Sequence, residues 1–490
     1  MAYNKEEEEE RYFESLLLSI SEGKRPYIDS DTAYDLADFL LNNERADDAA
    51  IVINYSLEIH PNETDLLILK SIVLVETDSI IEARSLLKQV SATEDSSPEL
   101  YKAWGVFHIA TGATDKAEAA FEKALSYEKE NGCSQDELHE TLLNIASTCN
   151  RHSAYKQAGI YADRLLADSP EDTFALFEKA YSEEKLGNDE SAIALYRKQL
   201  KIHPFADISW YNLALIHSKL GLYDEAIKYY NTHLALAPYN TEAYLNYANT
   251  LISNGQYQEA INEYCQYISH EKYYEEIVFQ FLGEAWAAIA DSSDEDSVQN
   301  RMANHYAEEF FRLSTTRNGS DPHAWFLLSD QLLSTGKTIE ALKCINKAIA
   351  IDASNCNYHY LRAAINEQND DLNEAMSDIL KGLAQSPNDV RAWLELTRVM
   401  TMLSYNTQEA ITKLSLIRDT FPSTATESID LAQALLKFYT NKKSIAAVRL
   451  VEKVAQCNPK LLVEACENTT FAKMMEHESF QHITISKTGE

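Results

Sequence analysis

The chain has 490 residues, 45% of them hydrophobic, with only 13 glycines and 10 prolines. Its 77 acidic and 43 basic residues leave a formal charge of −34. That balance argues against a nucleic-acid backbone or an anionic membrane as the main partner, since both call for stripes of lysine and arginine. Seven cysteines (Cys133, Cys149, Cys265, Cys344, Cys356, Cys457 and Cys466) form no C-x-x-C pair, a usage that suits a reducing compartment. An acidic run stands at the start, where a signal peptide needs positive charge. No segment approaches the ~18 consecutive apolar residues of a membrane span. A soluble, cytoplasmic chain is expected.

In chain order, residues 1–29 read as an acidic, disordered start followed by one capping helix over 10–22. From residue 30 a pattern repeats. Ala49, Ala83 and Ala117 stand 34 residues apart, as do Ala158, Ala192, Ala226 and Ala260, and then Ala307, Ala341 and Ala375. A fixed period of this length means a solenoid of helical hairpins, in which each unit packs only on its neighbours. The clearest copy begins at Asp207. Trp210, Leu213, Ala214 and His217 make one helical stripe, Gly221 makes the turn, Tyr223, Ala226, Ile227, Tyr230 and Leu234 make a second stripe, and Pro238 closes it. Two helices of ~13 residues are marginal alone and must be stabilised by packing together.

The same register places twelve copies, beginning near residues 30, 64, 98, 139, 173, 207, 241, 276, 322, 356, 391 and 425. They group as three copies over 30–131, an insertion at 132–138 that could bend the stack, and copies four to twelve over 139–459, with an acidic insertion near 291–296. Residues 460–490 are expected to form C-terminal capping helices and a tail, with Phe471, Met475 and Phe480 covering the last hairpin or a neighbouring chain, so self-association is open.

The series of tryptophan, leucine, small, tyrosine, alanine, aromatic, alanine and proline resembles the tetratricopeptide repeat. The resemblance implies an all-α fold, a right-handed superhelical solenoid of stacked antiparallel hairpins. It also implies a binding role on the concave side, lined by the first helix of each repeat. The concave places hold Asn144 in the fourth copy, Phe177 and Tyr181 in the fifth, Tyr211 and Asn212 in the sixth, and Leu245, Asn246 and Asn249 in the seventh. Asn144, Asn212 and Asn246 share one repeat position, where an amide can offer both donor and acceptor to an extended backbone; alternatively such an asparagine bridges neighbouring helices. Aromatic groups on the same surface can anchor a partner or simply pack between repeats. Repeats of this family that grip a chaperone's C-terminal carboxylate use Lys and Arg there, and Phe177, Ile208, Tyr211 and Leu245 replace them.

Three decoys dissolve in the register. Ser334–Thr338 (STGKT) looks like a phosphate loop, but Gln331 stands where the other glycine belongs and Gly336 is a repeat turn. His477, Glu478 and His482 have the wrong spacing for a zinc helix. Asp291, Asp294 and Asp296 lack the glycine and glutamate of a calcium loop. The chain is therefore read as a non-enzyme without metal or cofactor. Its expected role is a cytoplasmic scaffold binding extended protein segments with apolar anchors and basic flanks, and neither nucleic acid nor membrane. The alternative is a non-catalytic, substrate-presenting subunit of an enzyme complex.

Overall fold

The computed structural model describes residues 3–43, 45–93, 96–270, 276–403, 407–481 and 483. All regular structure among the described residues is helical. The chain divides into two compact units, 1–243 and 244–490.

In the first unit the capping helix α1 (Tyr3–Ser21) precedes six helix pairs: α2 (Ser30–Asn42) with α3 (Ala46–Ile59), α4 (Thr64–Glu76) with α5 (Ile80–Ser91), α6 (Pro98–Ala110) with α7 (Thr114–Glu130), α8 (Gln135–Arg151) with α9 (Tyr155–Asp168), α10 (Thr173–Lys185) with α11 (Asp189–Ile202), and α12 (Asp207–Lys219) with α13 (Tyr223–Leu236). α14 (Thr241–Ser253) begins at the end of this unit. The second unit continues with α15 (Tyr257–His270), α16 (Val278–Ser292), α17 (Val298–Arg317), α18 (Pro322–Ser334), α19 (Thr338–Ile351), α20 (Cys356–Gln368), α21 (Leu372–Gln385), α22 (Val390–Met402), α23 (Thr407–Arg418), α24 (Thr426–Thr440), α25 (Ile445–Cys457) and the short α26 (Pro459–Ala465) and α27 (Thr469–Met475). The expected hairpins are present in order.

The small residues sit where the helices touch. Ala214 and Ala226 are both fully buried. The place of Ala214 is held by Gly105 in α6, where an added Cβ would lie 2.1 Å from the ring of Phe121 in α7, and by Gly283 in α16, 2.4 Å from Phe311. The turn between the paired helices needs one left-handed residue. Glycine supplies it at Gly221 (φ 74°), but Asp78, Ser153 and Asp370 adopt the same conformation in their own copies (φ 58°, 61° and 64°). The glycine pattern thus under-reports a turn that every one of these copies makes.

The structure departs from expectation in three places. The seven extra residues near 131–138 do not interrupt the stack. Gly132 (φ 79°) ends a lengthened α7, and a capping box starts α8 early: the Glu137 amide donates to Ser134 Oγ (3.2 Å) and the Ser134 amide donates to Glu137 Oε2 (2.6 Å). One core then runs from Ile109 and Phe121 through Ile145 and Cys149 to Tyr161. The N-terminal helix, expected over 10–22, begins at Tyr3 and takes in the acidic run, and Phe13, Leu16, Leu17 and Ile20 pack on the first hairpin. At the other end Phe471 and Phe480 are buried against Leu431, Leu435 and Phe438 of α24, joined by Met474 where Met475 was expected to fill the place. These residues cover their own chain's last hairpin.

Candidate functional site

The first helices of successive hairpins touch one another in the order α2, α4, α6, α8. Residues of these helices, together with Phe121 and Glu128 of α7, line a cavity of about 380 Å³. Its floor is apolar, made of Leu41, Leu69, Ile72, Val106, Phe121 and Ile145, and its walls carry Asp38, Glu76, Glu99, Glu128, Glu137 and Glu140 against Lys102 and Arg151. A recess that shares Tyr34 and Glu99 adds Asp31, Asp35, Glu63 and Asp65 and no cation. Four of these carboxylates hold one repeat position. Asp31, Asp65 and Glu99 are 34 residues apart, and Glu140 follows after the insertion. In the next two copies that position carries Phe174 and Ile208, which are 68% and 54% exposed.

Both cations in the cavity are engaged. Lys102 Nζ lies 2.6 Å from Glu128 Oε1 and 3.9 Å from Glu99. The Thr141 hydroxyl also donates to Glu128 Oε1 at 2.9 Å. Glu128 is 4% exposed, and its other oxygen, Oε2, is buried without a hydrogen-bond partner. Arg151 and His152 approach Glu76 at 3.6 and 3.2 Å. Burial pushes the Glu76 pKa up, but the His152 hydrogen bond and the Arg151 charge outweigh it, so this carboxyl sits below its ordinary range. Asp65 moves the other way. Partial burial raises it first, followed by the charges of Glu99, Glu63 and Asp31. It stands in the first turn of α4, where a helix N-terminus favours the anion; crowding wins over the dipole. The same cause, burial and then the nearby carboxylates, holds the Tyr34 phenol above its usual range and keeps it neutral.

The eight residues singled out from sequence behave differently from one another. Asn144 is exposed and lines the cavity. Asn212, at the same repeat position, is 6% exposed, and its amide donates to the Tyr196 hydroxyl at 2.9 Å. It bridges α12 to α11, so the expectation that it faces a ligand is corrected. Asn246 is half-buried. Asn249 accepts from the Tyr264 hydroxyl at 2.6 Å, a bridge from α14 to α15 within one hairpin, and Leu245 is half-buried. Phe177 stacks on Tyr181 and leans on Tyr196 (ring centroids 6.2 and 6.1 Å apart). Tyr181 in turn meets Tyr155 and the Lys185 ammonium. Tyr211 packs against Tyr230 and His233. Most of these aromatic contacts therefore tie together the two helices of one hairpin, and Tyr155–Tyr181 ties one copy to the next. The acidic repeat position in the first four copies was missed, although laying those copies over one another reveals it.

In the second unit a wide polar cavity lies beside the acidic insertion, lined among others by Asp291, Arg301, Asn304, His305, Glu308 and Lys337. Lys337, the decoy lysine, pairs with Glu308 at 2.7 Å, and Gly336 is a left-handed turn residue. Among the described residues no cluster of three or more side chains could hold a metal, and His482 lies outside them. Nor is any helix of the described residues long and apolar enough to cross a membrane. All seven cysteines are unpaired, and burial pushes the Cys149 thiol up to about 12.

Family models of the tetratricopeptide repeat match residues 208–240, 241–269 and 322–355. A human protein, general transcription factor 3C polypeptide 3, is 24% identical over 148 residues, which is 29% of this chain and 16% of that protein. The chain thus matches well under two thirds of that relative's length. Among solved structures, the C-terminal part of a TPR repeat-containing protein from Cytophaga hutchinsonii has a TM-score of 0.41 at 16% identity, covering 56% of this chain and 98% of the other. A thermophilic TPR protein of Thermus thermophilus has a TM-score of 0.33 at 19% identity, covering 40% and 100%.

Proposed function

We infer that this chain, which is a tetratricopeptide repeat protein, works as a protein–protein interaction scaffold, and that its receptor surface is the acid-walled cavity on the first helices of the first four repeats. The observation that carries the reading is the composition of that cavity. An apolar floor desolvates an anchor side chain, and ten carboxylates around it and its recess against two engaged cations attract positive charge. The partner is thus an extended protein segment with an apolar anchor and basic flanks. Asn144, exposed on the cavity wall, would offer its amide to that segment's backbone, while Phe177, Tyr181, Tyr211, Leu245, Asn246 and Asn249 contribute at most the half-buried sides they keep clear of neighbouring helices. Unpaired cysteines support a reducing, cytoplasmic setting.

Partners captured from the native host by the wild-type chain should be lost from the Asp65→Lys, Glu99→Lys double variant and retained by Phe177→Ala. Retention of the whole partner set by the charge-reversed chain, with its helicity intact, would remove this cavity as the receptor.

A further inference from the structure

The acidic wall has a spacing as well as a sign, and the spacing selects a sequence. Asp31, Asp65, Glu99 and Glu140 come one from each of four adjacent first helices. Packed helices lie about 8–10 Å apart, whereas an extended chain advances about 3.1–3.4 Å per residue. One helix-to-helix step therefore spans about three residues of an extended segment. Resting on the receptor reading above, we propose that the cavity takes a protein segment with a lysine or arginine at every third position, one basic side chain per repeat.

Two observations support this beyond the acidic cluster itself. Glu128, at the base of the wall, is 4% exposed and keeps an oxygen, Oε2, without a hydrogen-bond partner, although Lys102 and Thr141 already occupy Oε1. A buried, half-satisfied carboxylate is costly, and a cation brought against the wall would offset the charge that Lys102 alone shares with Glu99. The members of the wall also feel one another: Asp31 and Glu99 both act on Asp65, from the helices on either side. Three residues per turn is the period of polyproline II, which puts every third side chain on one face without internal hydrogen bonds to break.

The test uses the full-length protein and labelled synthetic 12-residue peptides of one composition, four lysines among alanine, glutamine and one leucine. In one peptide the lysines occupy every third position, and in the other they are contiguous. Fluorescence anisotropy should show the spaced peptide binding about tenfold tighter, and the preference should vanish in the Asp65→Lys, Glu99→Lys variant. Equal affinity of the two peptides for the wild-type chain would overturn the spacing while leaving a basic-segment receptor standing. Failure of both to bind would overturn the receptor reading with it.

Discussion

The first four repeats and the next two are built alike and finished differently. At the position that follows each copy's start, the first four carry Asp31, Asp65, Glu99 and Glu140, and the next two carry Phe174 and Ile208, well exposed. Beneath that position the buried place at the helix crossing stays small, with Ala37, Ser71, Gly105 and Ala146 in the first four copies and Ala180 and Ala214 in the next two. Ala146, Ala180 and Ala214 are equally buried, and the left-handed turn recurs at Gly112, Ser153, Gly187 and Gly221 in the third to sixth copies (φ 72°, 61°, 83° and 74°). Packing therefore holds the repeat constant while one solvent-facing position is free to set what each stretch attracts. The acidic stretch acts through long-range charge and the apolar stretch only through contact.

The largest effect expected from this contrast is on binding. Asp65→Lys with Glu99→Lys should lower affinity for the lysine-spaced peptide about a hundredfold, roughly tenfold per reversed charge. Phe174→Ser with Ile208→Ser should change it less than about threefold, since exposed apolar residues off the site contribute little. Similar losses from both pairs in anisotropy titrations would erase the distinction between the two stretches. Ionic strength sharpens it further. Raising salt from about 0.1 to 1 M shortens the screening length from about 10 to 3 Å, so the wild-type affinity should fall steeply, and a salt-independent affinity would assign the binding to the apolar floor alone.

A second effect asks whether the contrast stops at the surface. Phe121 forms part of the cavity floor and closes on Gly105, while the corresponding pair in the fifth repeat is Tyr196 and Ala180, both fully buried. Gly105→Ala would bring a methyl into a ring that is only 1% exposed and cannot swing away. Overpacking of about 1–3 kcal/mol is partly offset by the ~1 kcal/mol better helix propensity of alanine. A net loss of about 1 kcal/mol should appear in urea unfolding. A gain in stability would mean that the third hairpin is looser than its geometry indicates.

Most of the fold was legible because repetition makes each copy a control for the others. The helix starts follow the alanine period, and the one clear shift, α8 beginning at Gln135, has a local cause in the Ser134–Glu137 capping box. The site was less legible. The shared asparagine position is visible in sequence, but its role is not. Asn212 is taken by Tyr196 of the preceding repeat, whereas Asn144 faces the cavity. Which outcome holds depends on a partner contributed by a neighbouring helix, and no single copy contains that information. The acidic position was readable in principle, but a copy-by-copy reading centred on the best-conforming repeats passes over the ones that depart from them at the surface.

The smallest expected effect isolates the electrostatic cost of the acidic stretch from its binding role. Asp65 has its pKa raised by partial burial and by Glu99, Glu63 and Asp31. A carboxyl whose folded pKa lies above its unfolded value supports the fold below the unfolded pKa, near 3.9, and loses that support as pH rises through the folded pKa. Asp65→Asn removes the charge and keeps the shape. Its stability should match that of wild type at pH values below about 4. Above that range it should exceed wild type by a few tenths of a kcal/mol, small because the residue is exposed and the charges are screened. Phe174→Asn, at the same position of the fifth repeat, should show no such pH dependence. Stability curves measured from pH 3.5 to 8 that stay parallel for Asp65→Asn and wild type would show that the acidic stretch is not mutually repelling, and would take away the reason for it to seek a cation.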